Sequence, residues 1–288
     1  MIPAPTFGHL VLDWFFDPLA AGGLATIAMT YAVGMRRLAA RGRRWPAGRA
    51  VSFGCGLALL VVATQSGLAR YDTVLFSAHA VQHVILGMVA PLLLALGAPL
   101  TLALQASHGR ARQAVRRVAH SRGVADLTHP GVALTLVGGS LFGLYFTPLF
   151  ALSLRNELVH DMVHLHFLAA GCAFFWPVLG LDAGPRRLSH PVRMLAVLML
   201  VPVHAVLGLA VMSSGELLAG GWYAEAARFW GTSALSDQQV AGGLLWVTGD
   251  LVGLVGSAIV LAQWMRYDER EAAREDRRLD ALAAAGDS

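Results

Sequence analysis

Two pairs of histidines stand four residues apart inside apolar sequence. His79 and His83 lie in SAHAVQHVILGMVAPLLLALGAPLTLAL (77–104), and His160 and His164 lie in LVHDMVHLHF (158–167). On a helix, residues four apart share a face, so each pair has the geometry of a two-point clamp for a metal ion. A strongly polar side chain at membrane depth costs about 3 kcal/mol on insertion scales and persists mainly where it faces a bundle interior and has partners. The alternative is neutral imidazoles hydrogen-bonded to neighbouring helices, and either stretch alone leaves that open.

The elements that must position these groups follow from composition. The chain has 288 residues, 56% of them hydrophobic and only 14% charged, with a mean hydropathy of +0.58. Soluble domains carry roughly 25% charge, so this is an all-α, polytopic membrane bundle. Seven apolar runs are long enough to span: 18–38, 49–67, 73–96, 131–145, 158–181, 192–212 and 240–264. The fourth is the weakest, interrupted by Gly138, Gly139 and Gly143. Pro91 and Gly97-Ala98-Pro99 are expected to kink or end the third. Residues 1–266 form the bundle, and 267–288 a charged, solvated helical tail.

All 22 basic residues are arginine, which excludes a retinal protein, since that needs a Schiff-base lysine. Cys55 and Cys172 are isolated, supporting neither a disulfide framework nor a thiol metal carrier. The N-terminal residues lack a basic region and a small-residue cleavage site, so no removed signal peptide is expected. The high pI reflects arginines in the connections rather than a nucleic-acid footprint. Arg36, Arg37, Arg41, Arg43, Arg44 and Arg49 fall in the first connection, Arg110, Arg112, Arg116, Arg117 and Arg122 in the third, and Arg186, Arg187 and Arg193 in the fifth. The alternate connections hold Arg70, Arg155 and Arg228. The positive-inside rule then puts the N-terminus outside and the tail in the cytoplasm of a multi-pass cell-membrane protein.

Depth brings the histidines together. At the helical rise, His79 and His83 lie about 9 and 15 Å below the outer face, His160 and His164 about 5 and 10 Å, and His204 about 12 to 14 Å. Five histidines on three helices therefore share one outer-leaflet layer, as a metal or cofactor site requires. Gln82 and Asp161 are adjacent, and Asp161 is either a carboxylate orienting an imidazole or an interfacial acid in water. Met88 and Met212 offer thioethers or ordinary packing. Asp250, near mid-membrane, is a functional candidate as a hydrogen-bond partner or proton site. His166 should point away from His164 and reads as structural.

Imidazole with thioether suits copper, above all Cu(I), and the layer is poor in carboxylate. The HExxH signature of zinc hydrolases is absent. A haem is the competitor, ligated by His83 with His204 or by His79 with His164. Two histidines one turn apart cannot serve opposite faces of one haem, so the pairing favours a small ion.

The combination HAVQH followed by GMVAPLLLALGAPL, YFTPLF, LRNELVHDMVHLHF, FFWPVLGLD, PRRLSHP, SSGE, DQQVAGGLLWVTGD and QWMRYDEREAAREDRRLD resembles the CtaG-type cytochrome c oxidase assembly factors of Gram-positive bacteria. The resemblance spans nearly the whole chain. It implies a non-enzymatic membrane protein that helps mature haem–copper oxidases by supplying copper, with oxidase subunits and the lipid bilayer as partners and self-association open; the alternatives are a haem-binding membrane cytochrome and a metal-free scaffold that holds oxidase subunits.

Overall fold

The computed structural model describes residues 3–182, 184–185, 187–226 and 230–286. Arg186 and Arg228, counted above among the loop arginines, lie outside the described residues, as do Asp287 and Ser288 of the tail. The described residues are helices and connections, with no strand among them. Among the described residues, six helices are long and apolar enough to cross a membrane, or seven if one bent pair is a single span.

These are α1 (Pro18–Ala39), α2 (Ala47–Gln65), α3 (Phe76–Ala106), α4 (Pro130–Tyr145), α5 (Glu157–Leu179), α6 (His190–Ser213) and α7 (Ala234–Gly286). Large apolar side chains such as Leu19, Met29, Leu165, Val247 and Leu251 are exposed along their flanks, where acyl chains rather than water are the favourable solvent. α4 has only 16 residues, about 24 Å of helix against a hydrocarbon core of about 30 Å. The chain then bends by 75° into the short helix Leu149–Arg155, which completes the pair.

α3 is central, touching α2, α5 and α7. It is not a regular helix. After Phe76–Val84 the chain makes one π turn, Ile85–Val89, before Ala90–Leu96 resumes the α pattern. Pro91 has no N–H to return to the preceding turn, and π turns of this kind mark functional helices often enough to direct attention here. The expected end at Gly97-Ala98-Pro99 is instead a break. Ala98 adopts a left-handed conformation (φ 48°) and helix restarts at Pro99. Asp182 caps the restart, accepting from the backbone N–H of Leu100 at 3.1 Å and Thr101 at 2.6 Å.

Close helix approaches fix the remaining spans. A Cβ on Gly171 of α5 would sit 2.1 Å from Gly87 O of α3, so only glycine permits this crossing. Gly208 of α6 and Gly242 of α7 form the analogous contact, each Cβ falling 2.6 to 2.7 Å from the other's carbonyl oxygen. Small residues at such crossings let backbones approach where lipid supplies no hydrophobic drive. At the end of α5, Arg193 donates to Val178 O at 2.5 Å and Leu179 O at 2.6 Å, and also to Gln263 of α7, satisfying carbonyls the helix leaves open. α7 runs unbroken for 53 residues, so the charged segment from Arg266 continues the last span as helix.

Candidate metal centre

Each histidine pair sits in the first two turns of a capped helix. The N-terminus of α3 is capped from α7: Asp237 Oδ2 accepts from Phe76 N at 2.7 Å, and Ser77 Oγ donates to Asp237 Oδ1 at 2.5 Å. The N-terminus of α5 is capped by Asn156, whose Oδ1 accepts from Val159 N at 3.1 Å. α3 and α5 therefore start at the same end of the bundle and present their pairs to each other.

The result is a rectangle of imidazoles. Ring centroids are 4.0 Å apart for His79–His83 and 4.2 Å for His160–His164 along the helices. Across the gap they are 5.8 Å apart for His79–His160 and 5.3 Å for His83–His164. Phe76, Phe150, Phe167 and Tyr145 pack around the inner pair. His79 is 0% and His83 2% exposed, and neither makes a hydrogen bond through either ring nitrogen. His164 Nε2, Tyr145 Oη and Gln82 Oε1 are likewise buried without a partner. Leaving one such group unsatisfied costs about 1–3 kcal/mol, and buried polar atoms ordinarily find a hydrogen bond or a metal. Five side chains, His79, Gln82, His83, Tyr145 and His164, therefore carry buried polar atoms without a hydrogen-bond partner.

His160 differs from the others. Its Nε2 lies 2.9 Å from Asp72 Oδ2. Asp72, in the connection between α2 and α3, has no place among the sequence-derived candidates. The short helix Leu68–Tyr71 and two clamps from the α6–α7 connection position it: Tyr223 Oη donates to Asp72 O at 2.9 Å and Trp222 Nε1 to Thr73 O at 2.8 Å. Burial pushes the Asp72 carboxyl above the usual carboxylate range, and the hydrogen bond to His160 opposes that shift. Asp72, His160 and His164 each bring one ligand atom within 4.8 Å of the other two. No spacing rule would have found Asp72, because only the fold returns this connection to the histidines.

The remaining candidates lie elsewhere. His204 is buried on α6 but makes none of the ring contacts that join the other four; its Nδ1–H donates to Leu200 O at 2.9 Å, and the ring fills the place a Cβ on Gly249 would occupy. Asp250 accepts from Trp246 Nε1 at 2.8 Å and keeps Oδ1 buried and unpaired. Asp161 is exposed. Gln82 donates to Ala63 O at 2.9 Å, tying α3 to α2 beside the site. Met88 packs in the apolar core with Leu92 and Phe174, and Met212 packs on Gly242, so neither thioether reaches the rectangle. His166 faces away and pairs with Ser140 at 2.5 Å. At the opposite end of the bundle a cavity of about 1240 Å³ is lined by Trp176, Asp182, His190 and Arg193, far from the histidines.

A family model described as "Cytochrome c oxidase caa3 assembly factor" matches residues 29–267. Uncharacterized proteins of Mycobacterium bovis and Mycobacterium tuberculosis are each 36% identical over 284 residues, covering 96% of this chain and 43% of theirs. One from Mycobacterium leprae is 35% identical over 290 residues, covering 98% of this chain and 44% of its own. The chain thus spans less than half the length of these relatives. No solved structure matches it.

Proposed function

This chain belongs to the family of cytochrome c oxidase caa3 assembly factors, and on that premise we propose that it binds copper at the histidine rectangle and hands it to a haem–copper oxidase as cargo, without catalysing a reaction. The observation that carries the reading is the set of orphaned ring nitrogens on His79, His83 and His164. Family membership supports association with the oxidase and the bilayer. The donor chemistry supports the metal, since four imidazoles suit copper among the first-row ions.

The dimensions fit a small ion. With a metal–nitrogen bond of about 2 Å, the centroids of two imidazoles sharing an ion lie no more than about 6 Å apart. All four neighbouring separations, 4.0 to 5.8 Å, are within that limit. A haem is supported less well. Its macrocycle needs a wide slot, and Phe76, Phe150 and Phe167 stand with ring centroids 4.8 to 6.3 Å from the inner pair. The loop arginines favour an orientation with the rectangle toward the outer face of the cell membrane. His204 joins the ligand set only if its ring leaves Gly249.

The test uses full-length protein purified in detergent and loaded anaerobically with Cu(I), wild type beside His79→Ala/His83→Ala, reading copper content and visible absorption. Copper retained by the wild type and lost from the variant, with no Soret band, is the expected result. Copper absent from both, or a Soret band in the wild type, overturns the reading.

A further inference from the structure

The four histidines of the rectangle are not equivalent, because only His160 has a carboxylate against it. We propose that Asp72, His160 and His164 form a divalent-cation site of their own, for an ion of the Zn(II) or Cu(II) class, adjacent to the His79–His83 pair and separable from it. The proposal rests on reading the rectangle as a metal centre.

Three observations carry it. First, the three ligand atoms already lie within 4.8 Å of one another, close to the spacing they need around one ion. Second, His160 Nε2 lies 2.9 Å from Asp72 Oδ2, so a carboxylate oxygen already stands beside the imidazole nitrogen that would ligate the same ion. Third, His164 Nε2 is buried and has no partner. A bound ion satisfies all of these groups at once.

Donor type separates this site from its neighbour. Two imidazoles with one carboxylate suit a borderline divalent ion, and a carboxylate is a poor partner for soft Cu(I). The negative charge of Asp72 offsets half the charge of a divalent ion in a poorly solvated place. The inner pair offers imidazole alone, which suits Cu(I). The location separates them too. The His160 side chain is 13% exposed and that of Asp72 3%, whereas His79 is 0% and His83 2% exposed, so the trio reaches the surface through His160.

The experiment titrates the full-length, detergent-purified protein with Zn(II) alone, by competition with a chromophoric chelator, and separately with Cu(I) alone. Second-sphere and ligand changes cost about 10–100-fold in metal affinity. Asp72→Asn, which keeps the side-chain shape, is therefore expected to weaken Zn(II) at least tenfold while retaining Cu(I). His79→Ala/His83→Ala is expected to keep Zn(II) and lose Cu(I). Zn(II) affinity unchanged in Asp72→Asn, or Zn(II) and Cu(I) lost together in the inner-pair variant, overturns the proposal. Should Asp72→Asn fail to fold, His164→Gln is read for Zn(II) alone, a loss of at least tenfold being expected and an unchanged affinity overturning the proposal. Zn(II) binding that depends on Asp72 in a wild type that takes no Cu(I) would defeat the copper reading alone. Cu(I) binding beside Zn(II) binding indifferent to Asp72 would defeat this proposal alone.

Discussion

Asp72 and His160 stand 88 residues apart in sequence and 2.9 Å apart in space, with two spans of the bundle between them along the chain. The contact joins the short connection before α3 to the first turn of α5. Through it, the same end of the bundle that carries both histidine pairs is closed by a buried polar link. Trp222 and Tyr223 hold the connection from outside, so Asp72 is fixed by backbone clamps as well as by its carboxylate.

The Gly87–Gly171 crossing sets the distance between the two histidine-bearing helices. In Gly171→Ala the new Cβ meets Gly87 O at 2.1 Å and Pro91 Cγ at 2.7 Å, and a backbone oxygen cannot rotate away. Overpacking of this kind costs about 1–3 kcal/mol. We expect a lowered unfolding temperature in detergent and weakened binding of both Zn(II) and Cu(I). An unchanged unfolding temperature would show that the crossing tolerates the methyl group.

Asp237 holds the start of α3 from across the bundle. Asp237→Ala removes acceptors from Phe76 N, Ser77 N and Ser77 Oγ, and loss of an N-cap costs about 0.5–2 kcal/mol. The expected outcome is faster amide hydrogen exchange at 76–80 together with lower stability, since His79 lies in that first turn. Exchange unaltered at those amides would show that the backbone there is held by other contacts.

His204 provides the opposite expectation. Its ring is turned onto Gly249 and bonded within its own helix, so His204→Ala should leave Zn(II) and Cu(I) affinities within about twofold of wild type, well below the 10–100-fold that ligand-shell changes produce. A tenfold loss would bring α6 into the ligand set.

The limits of the sequence are visible in these same residues. The i, i+4 spacing makes the two pairs legible, because a helix converts it directly into a shared face. Depth grouped His204 with them, but depth carries no azimuth, and the rotation of α6 turns its ring toward α7. Asp72 was invisible for a different reason: it sits in a connection, where periodicity says nothing about direction. Asp161, one residue from His160, reads either as an orienting carboxylate or as an interfacial acid, and a 100° step around the helix leaves it exposed. The three glycines of the fourth apolar run hinted at a short span, and the chain bends by 75° after Tyr145. The π turn after Val84 has no spacing signature of its own. Only Pro91, by withholding an N–H, pointed toward irregularity in that region.

Because the rectangle is built from two parallel rows of equal pitch, it behaves as a vernier between α3 and α5. At the present setting both graduations coincide, His79 with His160 and His83 with His164. Sliding one helix by a single turn, about 5.4 Å, would leave only one coincidence, His83 with His160 or His79 with His164. The glycine crossing beneath the rows, Gly171 against Gly87, is what brings the two scales within reach of each other.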